Sequence, residues 1–208
     1  MEIADTHYYE PEKGHGLAHD PFNAIVGPRP IGWVGTKGKD GSVNLAPYSF
    51  FNAFNYIPPI VGFASIGAKD SLRNVQETGE FTWNIATRPI AEAMNESCAP
   101  LPYGANEFTR AGLAEAPSTR ISPPRVAISP VNFECKVTQI IQLQTAAKTA
   151  IQTWLILGEV VAVHIAKSLL TNGIFDTFNA QIILRAGGPS AYAEIRPDAR
   201  FDMVRPVK

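Results

Sequence analysis

The run TWLILGEVVAVHI, Thr153 to Ile165, does most to limit the folds open to this chain. Its apolar residues fall on both faces of an extended segment. Such a run needs cover on two sides, as a central strand or a strand at a subunit interface has. The run before it, NFECKVTQIIQL (Asn132 to Leu143), alternates instead. Phe133, Cys135, Val137 and Ile141 fall on one face, and Glu134, Lys136, Thr138 and Gln142 on the other, the pattern of a half-exposed strand. TAAKTA between the two reads as a flexible turn. The 17 prolines and 16 glycines imply many turns and short elements, which favours a barrel over a helical bundle.

Upstream, IGWVGT (Ile31 to Thr36) predicts a strand, and KGKDGS (Lys37 to Ser42) carries the Asp-Gly signal of a hairpin. The chain returns through Val43 to Pro47. Pro58-Pro59 punctuates, and IVGFAS (Ile60 to Ser65) is the next strand. KDSLRNVQETG (Lys69 to Gly79) predicts a helix, with Asp70 or Ser71 capping its start, Gly79 closing its end, and Leu72 and Val75 facing inward. FTWNIA (Phe81 to Ala86) predicts a strand and Pro89 to Ala99 a second helix. Residues 99–130 are proline-rich and irregular, an excursion rather than a simple connection. SLLTNGIFDTFNAQI reads as mixed or helical, and ILRAGGPSAY ends the domain. The sum is a mainly β chain with inserted helices, of the Greek-key or partly open barrel kind. Residues 1–22 read as an arm, 23–195 as the domain and 196–208 as a tail. Strand–helix alternation and a G-x-G-x-x-G turn are both missing, which argues against a Rossmann site.

Several function classes drop out. A net charge of −1 gives no general affinity for nucleic acid or an anionic membrane. No apolar run approaches ~20 residues, so no membrane helix is expected. The polar, acidic N-terminus is neither a signal nor a transit peptide, which makes the cytoplasm the default location. Cys98 and Cys135 make no disulfide framework and read as inert buried thiols. His7, His15 and His19 lack metal-ligand spacing. A G-x-S-x-G elbow is absent.

The stretch NLAPYSFFN (Asn44 to Asn52) is the hardest to read as plain structure. Proline cannot donate to a sheet ladder, so Pro47 marks backbone left free for something else. Peptide groups released there suit the polar edge of a flat heteroaromatic ligand, and Trp33, Tyr48 or Phe50 suit its faces. The same aromatics also fit a core cluster around a proline bulge. Lys69 just before a helix start, Ser71 and Arg73 in the first turn suit a phosphomonoester. They equally fit an ordinary capped helix with solvated charges. His164, at the end of the doubly apolar strand and on the side of Val160 and Ala162, is either a proton-transfer or cofactor-contact residue or a structural histidine.

Three blocks in order, RPIGWVGT (Arg29 to Thr36), NLAPYSFFNAFNYIPPIVGF (Asn44 to Phe63) and KDSLRNVQETGEFTWNIA (Lys69 to Ala86), resemble the flavin reductase-like, FMN-binding split-barrel family, flavoredoxin-like members included. GEVVAVHI (Gly158 to Ile165) and RAGGPSAY (Arg185 to Tyr192) are similar to its later blocks. The resemblance runs from about Phe22 to Tyr192. It implies a homodimeric split β-barrel with FMN near the subunit interface. Asn44, Ala46, Pro47, Tyr48 and Ser49 would then run along the ring and ribityl chain. Thr36 and Trp33 would approach the flavin, and Lys69, Ser71 and Arg73 would meet the phosphate. The implied activity is an FMN-dependent oxidoreductase, in which NADH or NADPH gives a hydride to the flavin and electrons pass to a small acceptor or a partner monooxygenase. The alternative is a non-enzymatic FMN electron carrier. His164 is the candidate catalytic residue. Two positions depart from the family pattern: Gly35 stands where serine is common, and Trp83 where smaller β-branched residues are usual.

Overall fold

Two hairpins and a helix set the frame of the computed structural model, which describes residues 5–102 and 104–206. The first four residues of the expected arm, Tyr103 in the excursion and the last two residues of the tail lie outside the described residues. Strands β1 (Gly32–Lys37) and β2 (Val43–Tyr48) form the first hairpin. Its turn is closed by Gly38 N–H on the Ser42 carbonyl at 2.8 Å, with Asp40 accepting from Ser42 N–H at 2.9 Å. Strands β3 (Phe51–Asn55) and β4 (Ile60–Ile66) follow, then helix α1 (Asp70–Thr78) and strand β5 (Glu80–Asn84). The long hairpin β6 (Val131–Gln144) and β7 (Ala150–Ile165) completes one antiparallel sheet of order β2-β1-β5-β6-β7-β4-β3.

The two edge strands of that sheet, β2 and β3, are joined by only Ser49 and Phe50. So short a link forces the edges together at one end, with Ala64 N–H bonding the Phe50 carbonyl at 2.8 Å. The sheet must curl, and further along β2 the edges part. That is a split barrel. Its interior is an apolar cluster built on Val34, Tyr48, Phe63, Phe81, Cys135 and Ile156, closed by Leu72 and Val75 of α1. Alternation along β1 and β2 sends the next residues outward: Val34 pairs with Ala46 on the inner face, while Trp33 pairs with Pro47 and Gly35 with Leu45 on the outer one. A second cluster covers that outer face, made by Trp33, Leu45, Met94, Phe108, Val126 and Ile183. Helices α2 (Ala91–Glu96) and α3 (Glu107–Arg110) supply Met94 and Phe108.

The helix over 69–79 forms as expected, with Leu72 and Val75 buried and Gly79 in the left-handed region at φ 70°, its N–H on the Val75 carbonyl. Its N-cap is Lys69, and neither Asp70 nor Ser71 makes a capping bond; Ser71 is occupied by Asn44 instead. The second predicted helix is a 3₁₀ turn, Arg88–Ile90, running into α2, which stops at Glu96. The segment after β7, read as mixed or helical, is a 3₁₀ turn and a small hairpin, Leu170–Thr171 against Ile174–Phe175. Asn172 and Gly173, at φ 51° and 78°, form its tight turn, as Asn-Gly favours.

Two irregularities in the β6–β7 ladder change which side chains face where. One register shift falls at Thr138, between the pairs Leu157–Gln139 and Gly158–Val137. It flips the inner phase, so Ile140 packs on the core and Ile141 is 41 % exposed, contrary to the simple alternation. The other falls at Val161. Val160 stays on the inner face opposite Cys135, while Ala162 and His164 move to the face of Glu134 and Asn132. His164 is therefore not on the side of Val160. Glu134, expected on an exposed face, is fully buried because residues 118–125 fold over it. No helix among the described residues is long and apolar enough to cross a membrane.

Candidate functional site

The free edge of β2 carries the site. Leu45 N–H points away from β1 and bonds Glu107 Oε2 at 3.0 Å. In an antiparallel ladder the peptide groups alternate, so Leu45 and Pro47 face outward while Asn44, Ala46 and Tyr48 face β1. Pro47 thus sits where a missing N–H breaks no sheet bond. At these two residues the edge offers no free donor, since Glu107 takes one N–H and proline lacks the other; Leu45 is fully buried, so the carbonyl left facing open space is that of Pro47.

Between this edge, the start of α1 and the segment after α2 lies a cleft of about 470 Å³. That is within the range of roughly 300–1,000 Å³ usual for small-molecule sites. Asn44, Ala46, Pro47 and Tyr48 form one wall, Lys69, Asp70 and Ser71 the second, Ser97 to Leu101 with Glu107 the third. Asn44 Nδ2 donates to Ser71 Oγ at 2.8 Å and pins the helix start to the strand. Lys69 is exposed, its Nζ 5.9 Å from the centre of the Tyr48 ring. The Tyr48 hydroxyl is buried close to Ser71 and Ser65, yet closes no hydrogen bond of good geometry. Burial raises its pKa.

The other sequence-predicted residues stand back from the cleft or outside it. Trp33 is fully buried in the outer cluster and cannot touch a ligand there; its indole N–H donates to Ser97 Oγ at 3.0 Å, one layer behind the wall. Thr36 is also fully buried, its hydroxyl accepting from Asn74 Nδ2 at 3.0 Å, which ties β1 to α1. Ser49 lies in the β2–β3 link, where its carbonyl accepts from Arg29 Nε at 3.0 Å. Arg73 is exposed on α1 and does not line the cleft; its N–H bonds the Lys69 carbonyl at 3.1 Å. His164 lies four strands away on the rung Pro47–Trp33–Asn84–Asn132–His164, roughly 19 Å along the sheet. Its Nε2 is 2.6 Å from Glu134 Oε1.

Two residues at the cleft escaped the sequence reading. Cys98, expected to be a buried inert thiol, is exposed at its mouth. Partial shielding of the thiol raises its pKa, and Lys69 works against that. Glu107 lies in the irregular excursion, where no periodicity marks a residue as inward. An Asn before an acidic, apolar helix turn, Asn106-Glu107-Phe108, was the one available signal: Asn106 Oδ1 caps α3 by accepting from Phe108 N–H at 2.8 Å. The departure at Gly35 also has a cause. A Cβ there would run into the Thr82 hydroxyl and lie 3.0 Å from the Pro124 carbonyl, which that hydroxyl bonds at 2.9 Å.

Residues 27–180 match the family profile described as a flavin reductase like domain. An uncharacterised protein of Halalkalibacterium halodurans is 39 % identical over 176 residues, covering 80 % of this chain and 83 % of the relative. Among solved structures, nitrilotriacetate monooxygenase component B from Bacillus cereus superposes with a TM-score of 0.82 at 28 % identity, covering 98 % of both chains. The 2-nitrobenzoate 2-nitroreductase of Pseudomonas fluorescens gives 0.79 at 29 % identity, covering 99 % of this chain and 96 % of that one. The match extends from before β1 past β7, so it takes in the barrel and the edge cleft together, and the protein belongs to the flavin reductase-like family.

Proposed function

We propose that the chain binds FMN in the cleft at the β2 edge and works as an oxidoreductase that takes a hydride from NADH or NADPH. The observation that carries this reading is the meeting of an unpaired strand edge with the start of α1 beside Lys69 and Ser71. The two halves match the two parts of one molecule. First-turn N–H groups, Lys69 and the Ser71 hydroxyl suit a phosphate. The outward carbonyl of Pro47 suits a hydroxyl donor of a ribityl chain.

Bound flavin supplies the hydride chemistry, so a catalytic triad is not needed. The chain's residues hold, orient and screen it. Asn44 fixes the helix start against the strand, Glu107 fixes the edge, and Trp33 and Thr36 hold the second layer behind them. Orientation of the two reacting rings is then the main source of rate. His164 buttresses Glu134 and the excursion and touches no reacting group.

A homodimer is part of this reading. Phe54, Tyr56 and Ile57 at the tip end of the β3–β4 hairpin are exposed, and Ile25 and Val26 beside Phe54 are exposed too, an apolar patch that suits a subunit contact. The neighbour from Bacillus cereus is a monooxygenase component and the one from Pseudomonas fluorescens a nitroreductase. They support a partner oxygenase or a small organic acceptor as the destination of the electrons. A pure electron carrier would share every phosphate and ring contact. Anaerobic mixing of the flavin-loaded protein with NADH and, separately, NADPH decides between them. Rapid bleaching of the yellow colour is expected. Bleaching by dithionite alone would leave the carrier.

A further inference from the structure

The cleft carries more negative charge than a phosphate site calls for. Lys69 is the one cation among the described residues lining it, while Asp70 and Glu107 both reach it. Glu107 cannot swing away. Its helix is capped by Asn106, the next side chain, Phe108, is buried in the outer cluster, and Glu107 itself is 7 % exposed. Its Oε2 holds Leu45 N–H at 3.0 Å, and among the described residues no donor from another residue is bonded to Oε1. A phosphomonoester dianion entering at Ser71 therefore meets a fixed carboxylate with a spare oxygen.

We propose that Glu107 is the proton-linked residue of the cleft: it holds the β2 edge as a carboxylate and takes up one proton from solvent when a phosphomonoester dianion seats beside Lys69. The inference rests on the placement of the FMN phosphate at the start of α1. In the protonated form Oε2 still accepts from Leu45, and the carboxyl O–H donates to a phosphate oxygen. The charged or titratable groups facing it are Lys69 and Asp70 at the start of α1, Tyr48 on β2 and Cys98 after α2. Burial raises Tyr48 and shielding raises Cys98, so both are already protonated near neutral pH. Asp70 stands in the first turn of α1 and is more open to water than Glu107. Among the protein groups of the cleft, Glu107 is left to accept the proton. Burial raises its carboxyl, the amides of Leu45 and of Glu107 itself pull it back, and Asp70 raises it again.

The test is titration with FMN and with riboflavin, which lacks the phosphate, from pH 6.5 to 8.5, read by quenching of flavin fluorescence. FMN affinity of the native protein should fall as pH rises, by up to about tenfold per unit, the limit for one linked proton. Riboflavin affinity should stay flat. Glu107→Gln should flatten the FMN profile and bind FMN more tightly than the native protein at pH 8.5, while Asp70→Asn keeps the native slope. Calorimetry of the native protein in two buffers of different ionisation enthalpy should count proton uptake with FMN and none with riboflavin, a readout that needs no variant. A flat native profile, an unchanged slope in Glu107→Gln, or loss of the slope in Asp70→Asn overturns the assignment to Glu107. FMN that fails to bind at every pH overturns the flavin reading and this inference with it.

Discussion

His164 Nε2 lies 2.6 Å from Glu134 Oε1, and the pair clamps the excursion to the barrel. Glu134 also accepts from Thr119 N–H at 2.9 Å, the Thr119 hydroxyl at 3.0 Å and Arg120 N–H at 2.7 Å. Its carboxylate is fully buried with donors on both oxygens. Burial alone would raise its pKa; the Thr119 amide, His164, the Arg120 amide and the Thr119 hydroxyl outweigh that and lower it to about 2.

A carboxyl depressed on folding stabilises the folded state above its unfolded pKa and loses that contribution as pH falls through the folded value. For Glu134 the window runs from about pH 5 down to about 2. The native protein should lose on the order of 3 kcal/mol there beyond what Glu134→Gln loses, measured by urea unfolding at pH 5 and at pH 3 and below. Parallel pH profiles for the two proteins would remove the clamp from the stability account. His164→Ala should lower stability with flavin turnover unchanged. A fall in turnover without loss of stability would restore the histidine to the chemistry.

Lys69 and Ser71 should hold the phosphate and nothing else of the ligand. Replacing both with alanine removes a cation and a hydroxyl donor, and charged hydrogen bonds contribute about 1.5–3 kcal/mol each. FMN affinity should drop by roughly 10- to 100-fold per lost charged contact, while riboflavin affinity changes little. Equal losses for the two flavins in a fluorescence titration would move the phosphate elsewhere.

The parts of this fold set by local pattern were readable from residues alone. Strands β1, β4 and β5, the Asp-Gly turn and α1 stand where periodicity and punctuation put them. Asn44, Ala46, Pro47, Tyr48, Lys69 and Ser71 do come together in one cleft. What escaped depends on partners far along the chain. Trp33 and Thr36 belong to the strand beside the cleft wall, but both are fully buried, Trp33 behind Ser97 and Thr36 against Asn74. A single extra residue at Val161 turned His164 to the other face, and bulges leave no mark in an apolar run. Glu134 alternates like a surface residue because its cover arrives from residues 118–124, a stretch outside any helix or strand. Glu107 also belongs to the excursion, on the short helix α3.

Gly35→Ser would introduce the serine that the resemblance leads one to expect, and here it should destabilise. The new Cβ collides with the Thr82 hydroxyl, which already donates to Pro124, and the inserted atoms have no room between β1 and the excursion. Overpacking of this kind costs about 1–3 kcal/mol. Thr82→Ala removes the obstructing oxygen, so the double variant should recover part of the loss. Urea midpoints of the two single variants and the double variant measure the coupling; strictly additive losses would mean the Thr82 hydroxyl is not what excludes a side chain at Gly35.

Tyr56 and Ile57 are 85 % and 81 % exposed at the tip of the β3–β4 hairpin, beside Phe54. An apolar tip of this size gains from burial at about 25 cal/mol per Å², and a second copy of the chain is the partner the dimeric reading assigns. Ile57→Glu places a charge in the middle of that contact, where it would lose water without gaining a counter-charge. Sedimentation should show the native protein as a dimer and Ile57→Glu as a folded monomer. FMN retention should fall with it if the neighbouring subunit closes the open side of the flavin, and should be untouched if the edge cleft alone holds the ligand. A native protein that sediments as a monomer at micromolar concentration would leave the hairpin tip for another partner and remove the subunit interface from the flavin site.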